Sequence, residues 1–177
     1  MGYTSLYVWV EGPDDVRFFD NIIKPLIEKK YNKVIIRSYA NLTKEKINSL
    51  IKSIIDLKEC YIYVKDINNA KCITKKKREI RKELKNISND RIVIIVKEIE
   101  SWYLAGLGKK DSKNLGIKYF GNTDNIIKEK FNSIIPKKFD TRQIFMLEIL
   151  NRFSIKIASK KNRSFEYFIK KYNCEVS

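Results

Sequence analysis

The chain has 177 residues, with 37 Lys and Arg against 21 Asp and Glu and no histidine, for a formal charge of +16. Without imidazole it can assemble no Ser-His-Asp or Cys-His nucleophile and no histidine-ligated zinc site. Its length suits one domain with a small appendage, and 44% hydrophobic and 12% aromatic residues exclude a wholly disordered chain.

Leu6-Tyr7-Val8-Trp9-Val10 reads as a first strand, stopped by Glu11-Gly12-Pro13. Between Asp14 and Lys30, apolar residues three to four apart predict an amphipathic helix, with Asp14 available as a cap and Pro25 kinking its last turns. Val34-Ile35-Ile36 is a second strand, and Ile47, Leu50 and Ile54 mark a second helix. Cys60 to Val64 forms a third strand, ending at Asp66-Ile67-Asn68-Asn69. A basic helix follows over Thr74 to Leu84, and then the most apolar strand, Ile92 to Val96. Each connection is long enough for a helical crossover, which predicts an α/β fold with a central parallel four-stranded sheet and helices on both faces. The strands are continuous Ile/Val/Tyr runs, as a sheet covered on both sides requires.

Beyond Trp102-Tyr103-Leu104 the pattern changes to a stretch punctuated by Gly106, Gly108, Gly116 and Gly121. Helical patterns follow near Asn125–Phe131, Thr141–Phe153 and Ser164–Tyr172. The expected division is an α/β core over 1–105 and a helical extension packed on it over 106–177.

Cys60, Cys72 and Cys174 are odd in number and lack CxxC spacing, so neither a zinc knuckle nor a disulfide framework is expected. No apolar run approaches the roughly 18–20 residues of a membrane span. The start, Met1-Gly2-Tyr3-Thr4-Ser5, has no basic leader pattern. These features predict a reducing, cytoplasmic setting without membrane partners.

Ligands of an open parallel sheet gather at the carboxyl ends of its strands. Here three of four ends carry acids: Glu11, Asp66, and the pair Glu98 and Glu100. Carboxylates converging on one rim repel each other unless a hard divalent cation such as Mg²⁺ or Mn²⁺ joins them. The alternative is that such acids solubilise loops or cap helices. The segment holding Lys71, Lys75, Lys76, Lys77 and Arg78, followed by Arg81, Lys82 and Lys85, sits just downstream of Asp66 and suits phosphate contacts. Its alternative is a solvated helix face with ion pairs to Glu79 and Glu83. Lys156 to Arg163 has the same ambiguity. Trp102 and Tyr103 suit base stacking or, more simply, core packing.

Val10-Glu11-Gly12-Pro13-Asp14-Asp15 resembles the V-E-G-x-x-D/E motif of the topoisomerase–primase (TOPRIM) fold, and Asp66-Ile67-Asn68 resembles its D-x-D motif. Glu100-Ser101-Trp102-Tyr103-Leu104-Ala105 is similar to the E-A-W-L-L-A segment of a prokaryotic TOPRIM-like group related to the nuclease domains of the OLD family. Arg163-Ser164-Phe165-Glu166-Tyr167-Phe168 resembles that group's late P-S-F-x-x-F segment. The resemblance spans most of the chain. It implies Mg²⁺-dependent phosphodiester chemistry of the nuclease type in DNA repair or defence, with Glu11, Asp66 and Glu100 catalytic and with Glu11, Asp15, Asp66, Asn68 and Glu100 around the metal. Gly12 would provide the tight turn from strand to helix.

Three positions depart from the pattern. Asn68 replaces the second acid of D-x-D, Lys65 precedes Asp66 where an apolar residue is usual, and Gly106 stands where the group has an acid. The alternative function is therefore a non-catalytic nucleic-acid-binding TOPRIM module that uses the basic face beside a vestigial acidic pocket.

Overall fold

Four strands, β1 (Ser5–Val10), β2 (Lys33–Ser38), β3 (Cys60–Asp66) and β4 (Ile92–Ile95), pair in parallel in the order β2-β1-β3-β4 in the computed structural model, which describes residues 4–172. The fold is α/β, with helices flanking an all-parallel sheet, followed by a helical C-terminal part. Met1, Gly2 and Tyr3 of the leader reading, and Cys174, lie outside the described residues. Cys60 and Cys72 are free thiols. No helix among the described residues is long and apolar enough to cross a membrane.

The segment after β1 is not one helix. It comprises α1 (Pro13–Phe18), a π-helical turn (Phe19–Ile23) and α2 (Lys24–Ile27). Pro25 has no N–H to give to the helical ladder, and the preceding Lys24 N–H reaches back five residues to the Phe19 carbonyl. The distortion therefore falls one turn earlier than a kink at Pro25 itself. Helix α3 (Lys44–Asp56) is capped by Thr43 Oγ1, which accepts from Lys46 N–H at 3.2 Å. Helix α4 (Ile73–Glu83) joins β3 to β4.

Strand pleating sorts the core into two faces. Trp9, Tyr61, Tyr63, Ile92 and Ile94 pack in one cluster with Ile47, Ile51 and Ile54 of α3 and Ile80 of α4. The alternate strand residues Leu6, Val8, Val10, Ile62, Val64, Val93 and Ile95 are equally buried, as are Phe18, Phe19, Ile23 and Ile27 of the segment after β1. Both faces are thus covered, which is why the strands show no polar alternation.

The chain divides into two units at Ile95/Val96. The stretch 96–105, assigned to the α/β core from sequence, accordingly begins the helical unit. That unit contains α5 (Ile99–Ala105), α6 (Lys109–Leu115), α7 (Lys128–Ser133), α8 (Arg142–Leu150), α9 (Ile155–Lys161) and α10 (Arg163–Lys171). The glycines that punctuate this stretch mark helix ends. Gly106 closes α5, Gly108 opens α6, and Gly116 closes α6 in the left-handed region at φ 81°.

Candidate functional site

In a β2-β1-β3-β4 sheet the connections leave β1 in one direction and pass over it in the other, so the switch point lies between β1 and β3. Glu11 follows β1, and Lys65 and Asp66 close β3. The ladder pairs Trp9 with Tyr63, and two residues further it brings Glu11 level with Lys65. Their side chains meet, with Lys65 Nζ 3.3 Å from Glu11 Oε2. The carboxylate oxygen is buried and accepts no hydrogen bond, so the contact is purely ionic. Asp66 is one residue out of phase with Lys65, which assigns it to the opposite face of the strand from the Glu11–Lys65 pair.

Two tyrosines complete this corner. Tyr39 stacks on Tyr63 with ring centres 4.7 Å apart and an interplanar angle of 14°. Its hydroxyl donates to the Val64 carbonyl at 2.8 Å, and Lys65 Nζ lies 5.3 Å over its ring. Burial, with Tyr63 and Glu11 adding to it, holds the Tyr39 phenol well above its ordinary pKa. Burial likewise pushes Tyr63 up to about 12. Both stay neutral hydroxyls at physiological pH.

The corner opens into a cleft of about 370 Å³. Leu42, Ile47, Tyr63, Ile80 and Leu84 give it an apolar lining. Lys44 of α3 and Glu83 of α4 form an ion pair of 2.8 Å on one side, and Glu11 and Lys65 stand on another. Lys76 and Glu79 of α4 also line it.

The other residues of the V-E-G-like segment serve the helix start. Gly12 N–H donates to Asp15 Oδ2 at 3.1 Å, so the buried Asp15 satisfies an amide at the opening of α1. Asp14 pairs with Arg17 at 2.6 Å. The N-cap is Gly12 rather than Asp14, and its backbone is extended, with φ −140°. A Cβ there would meet Asp15 Oδ2 at 3.7 Å, an ordinary contact, so the turn does not demand glycine. Asn68 is exposed and adopts φ 48°, a left-handed turn conformation that asparagine tolerates well.

Glu100 belongs to the helical unit and is 3% exposed. Arg142 Nη2 donates to its Oε1 at 2.5 Å, Arg142 Nε donates to Asn132 Oδ1 at 2.8 Å, and the guanidinium lies 5.4 Å over the Phe131 ring. Glu98 accepts from the Lys128 backbone N–H at the start of α7. Trp102 and Tyr103 are fully buried, so neither stacks on a base. Trp102 Nε1 donates to Ser164 Oγ at 2.8 Å, and its rings lie 5.1 Å from Phe165 and 5.6 Å from Phe168. The two late motif-like segments thus form one piece of core.

The basic segment splits by helix face. Lys71, Lys75 and Arg78 are exposed, together with Arg81 and Lys82. Lys75 has Glu79 at 4.0 Å, whereas among the described residues Arg78, Arg81 and Lys82 have no carboxylate within ion-pair distance. Lys76 lines the cleft. Lys77 donates to the Asn89 carbonyl at 3.2 Å, and partial burial lowers its pKa, so it ties down its own helix.

Three of the positions expected around a divalent cation have other partners or no charge. Lysine occupies the position level with Glu11, Glu100 is matched to an arginine, and Asn68 brings no charge. Among the described residues, no group of three or more cysteine, aspartate or glutamate side chains is placed to ligate a metal. Sequence reasoning passed over Tyr39 and Lys44, and it read Glu83 only as an ion-pair partner within its own helix, whereas Glu83 pairs with Lys44 of α3. Lys65 carried a usable signal, because it continues the alternation Tyr61, Tyr63 on the α3/α4 face. No family model, curated protein or solved structure matches the chain.

Proposed function

We propose that the chain is a nucleic-acid-binding protein, a TOPRIM-like module that grips the phosphate backbone with α4 and whose strand-end acids serve the fold rather than a metal. One observation carries this reading. Lys75, Arg78, Arg81 and Lys82 lie at helical spacing on the exposed side of α4, away from the buried Ile80. A stripe of this kind on a chain of charge +16 attracts polyanions over long range and releases counterions when phosphates replace them.

The test is fluorescence anisotropy with short single- and double-stranded oligonucleotides between about 50 and 200 mM salt. Affinity falls steeply with salt and is unchanged by EDTA, and no strand is cut. Replacing Arg78, Arg81 and Lys82 together by alanine lowers the magnitude of the log–log salt slope by about 2–3. Absence of binding at the lowest salt overturns the proposal.

A second reading, Mg²⁺-dependent phosphodiester cleavage, is favoured by the position of Glu11 and Asp66 at the carboxyl ends of the two strands that flank the switch point. Cleavage that requires Mg²⁺ or Mn²⁺ and disappears in Glu11→Ala or Asp66→Ala would replace the first reading with this one.

A further inference from the structure

We propose that the cleft between β1, β3, α3 and α4 receives a single unpaired nucleobase, so that the protein prefers single strands to duplex. This deepens the nucleic-acid reading and rests on it.

The volume, about 370 Å³, lies within the range of small-ligand sites, and the position is the switch point where open parallel sheets bind ligands. The chemistry of the lining selects the ligand. Three lysines, Lys44, Lys65 and Lys76, face three glutamates, Glu11, Glu79 and Glu83, for a formal sum of zero. A phosphate placed there would meet as many carboxylates as ammonium groups. A neutral planar heterocycle uses both sets. Its amino and ring N–H groups donate to carboxylates, and its carbonyl and ring nitrogen acceptors take hydrogen bonds from lysines. The apolar lining of Leu42, Ile47, Ile80 and Leu84, with the rim of Tyr63, suits the faces and edges of such a ring.

Helix α4 links this cleft to the basic stripe. Lys76, Glu79, Ile80 and Glu83 line the cleft, while Arg78, Arg81 and Lys82 are exposed. A strand whose phosphates follow the stripe therefore has a base within reach of the cleft. In a duplex that base is stacked and paired inside the helix, and only extrusion would present it.

Ala40 lines the cleft and is itself exposed, so a large side chain there obstructs the cavity without entering the core. The experiment compares single-stranded and duplex oligonucleotides of equal length, at one salt concentration, on the wild-type chain and on Ala40→Trp, with circular dichroism to verify folding. The wild type favours the single strand, and Ala40→Trp reduces the ratio of single-strand to duplex affinity by about tenfold. As a measurement free of any variant, a single strand built from abasic sugar-phosphate units binds the wild type about tenfold more weakly than the same length carrying bases. Equal affinity for abasic and base-bearing strands, or an Ala40→Trp ratio equal to that of the wild type, overturns this inference and leaves backbone binding standing. No binding to either strand form overturns both.

Discussion

Lys65 Nζ stands 3.3 Å from Glu11 Oε2, level with it across the β1–β3 ladder and at the switch point of the sheet. A cation-seeking acid and a protein cation occupy adjacent strand ends. The charge that a metal would neutralise is thus already balanced within the chain. Both side chains keep partial solvent contact, 38% for Glu11 and 23% for Lys65, so the pair is screened and its contribution to stability is modest.

A double-mutant cycle measures that contribution. Glu11→Ala, Lys65→Ala and the double variant, unfolded in urea, give a coupling of about 0.5–1 kcal/mol that shrinks in 1 M salt. Additive single effects would show that the two charges act independently.

The Glu100–Arg142 contact behaves differently because its acid is almost fully enclosed. Arg142→Ala strands a buried carboxylate and costs about 3 kcal/mol. Pairing it with Glu100→Gln removes the charge and recovers part of that loss. Thermal or urea unfolding of the single and double variants checks both. A double variant less stable than Arg142→Ala would mean that Glu100 is held by something other than its charge. Nucleic-acid affinity should follow the folded fraction in this series, since both residues are part of the helical unit's framework.

Two glycines exchange the importance that the sequence assigns them. Gly12, in the V-E-G-like turn, has extended backbone and open space for a Cβ. Gly106 has ordinary dihedrals, but a Cβ there would fall 2.2 Å from Phe153 Cδ2. Gly12→Ala costs at most a few tenths of a kcal/mol, and Gly106→Ala costs about 1–3 kcal/mol because the Phe153 ring must move. Urea midpoints of the two variants decide this, and a Gly106→Ala protein as stable as wild type would contradict the packing.

Strands, crossover helices and the parallel sheet were legible because β-branched runs and three-to-four spacing report burial directly. Helices α5 and α6 were hidden because glycines at 106, 108 and 116 mark helix boundaries here, and composition cannot separate punctuation from a loop. Helix α9 was read only as a basic stretch, although Ser154 Oγ caps it by accepting from Ile157 N–H. At the site, the acids at strand ends were visible but their directions were not. The strand read as Cys60 to Val64 runs on to Asp66, its last residue, and this sets the phase of Asp66 against Lys65. Lys44, opposite, comes from another element and leaves no local signature, and Glu83, read as a partner for its own helix, turns out to pair with Lys44.

Lys161 offers a pH test of the helical unit. It is 4% exposed, donates from Nζ to the carbonyls of Leu104 at 3.1 Å and Leu107 at 2.8 Å, and lies 4.8 Å over the Tyr119 ring. Burial brings its pKa down to about 8, against about 10.4 for a lysine in the unfolded chain. Below about pH 8 the ammonium is charged in both states, and its desolvation cost is constant. Between about 8 and 10 the native state releases the proton while the unfolded chain keeps it, so the unfolded state binds more protons and stability rises with pH. Above about 10 the tyrosines reverse the slope, since buried Tyr39 and Tyr63 stay protonated in the native state while their unfolded counterparts ionise. The comparison with Lys161→Met cancels the tyrosines. Relative to that variant, the wild type gains on the order of 2 kcal/mol from pH 8 to 10, measured by urea unfolding at each pH. A difference that stays flat across this range would mean that the buried amine keeps its proton in the folded chain.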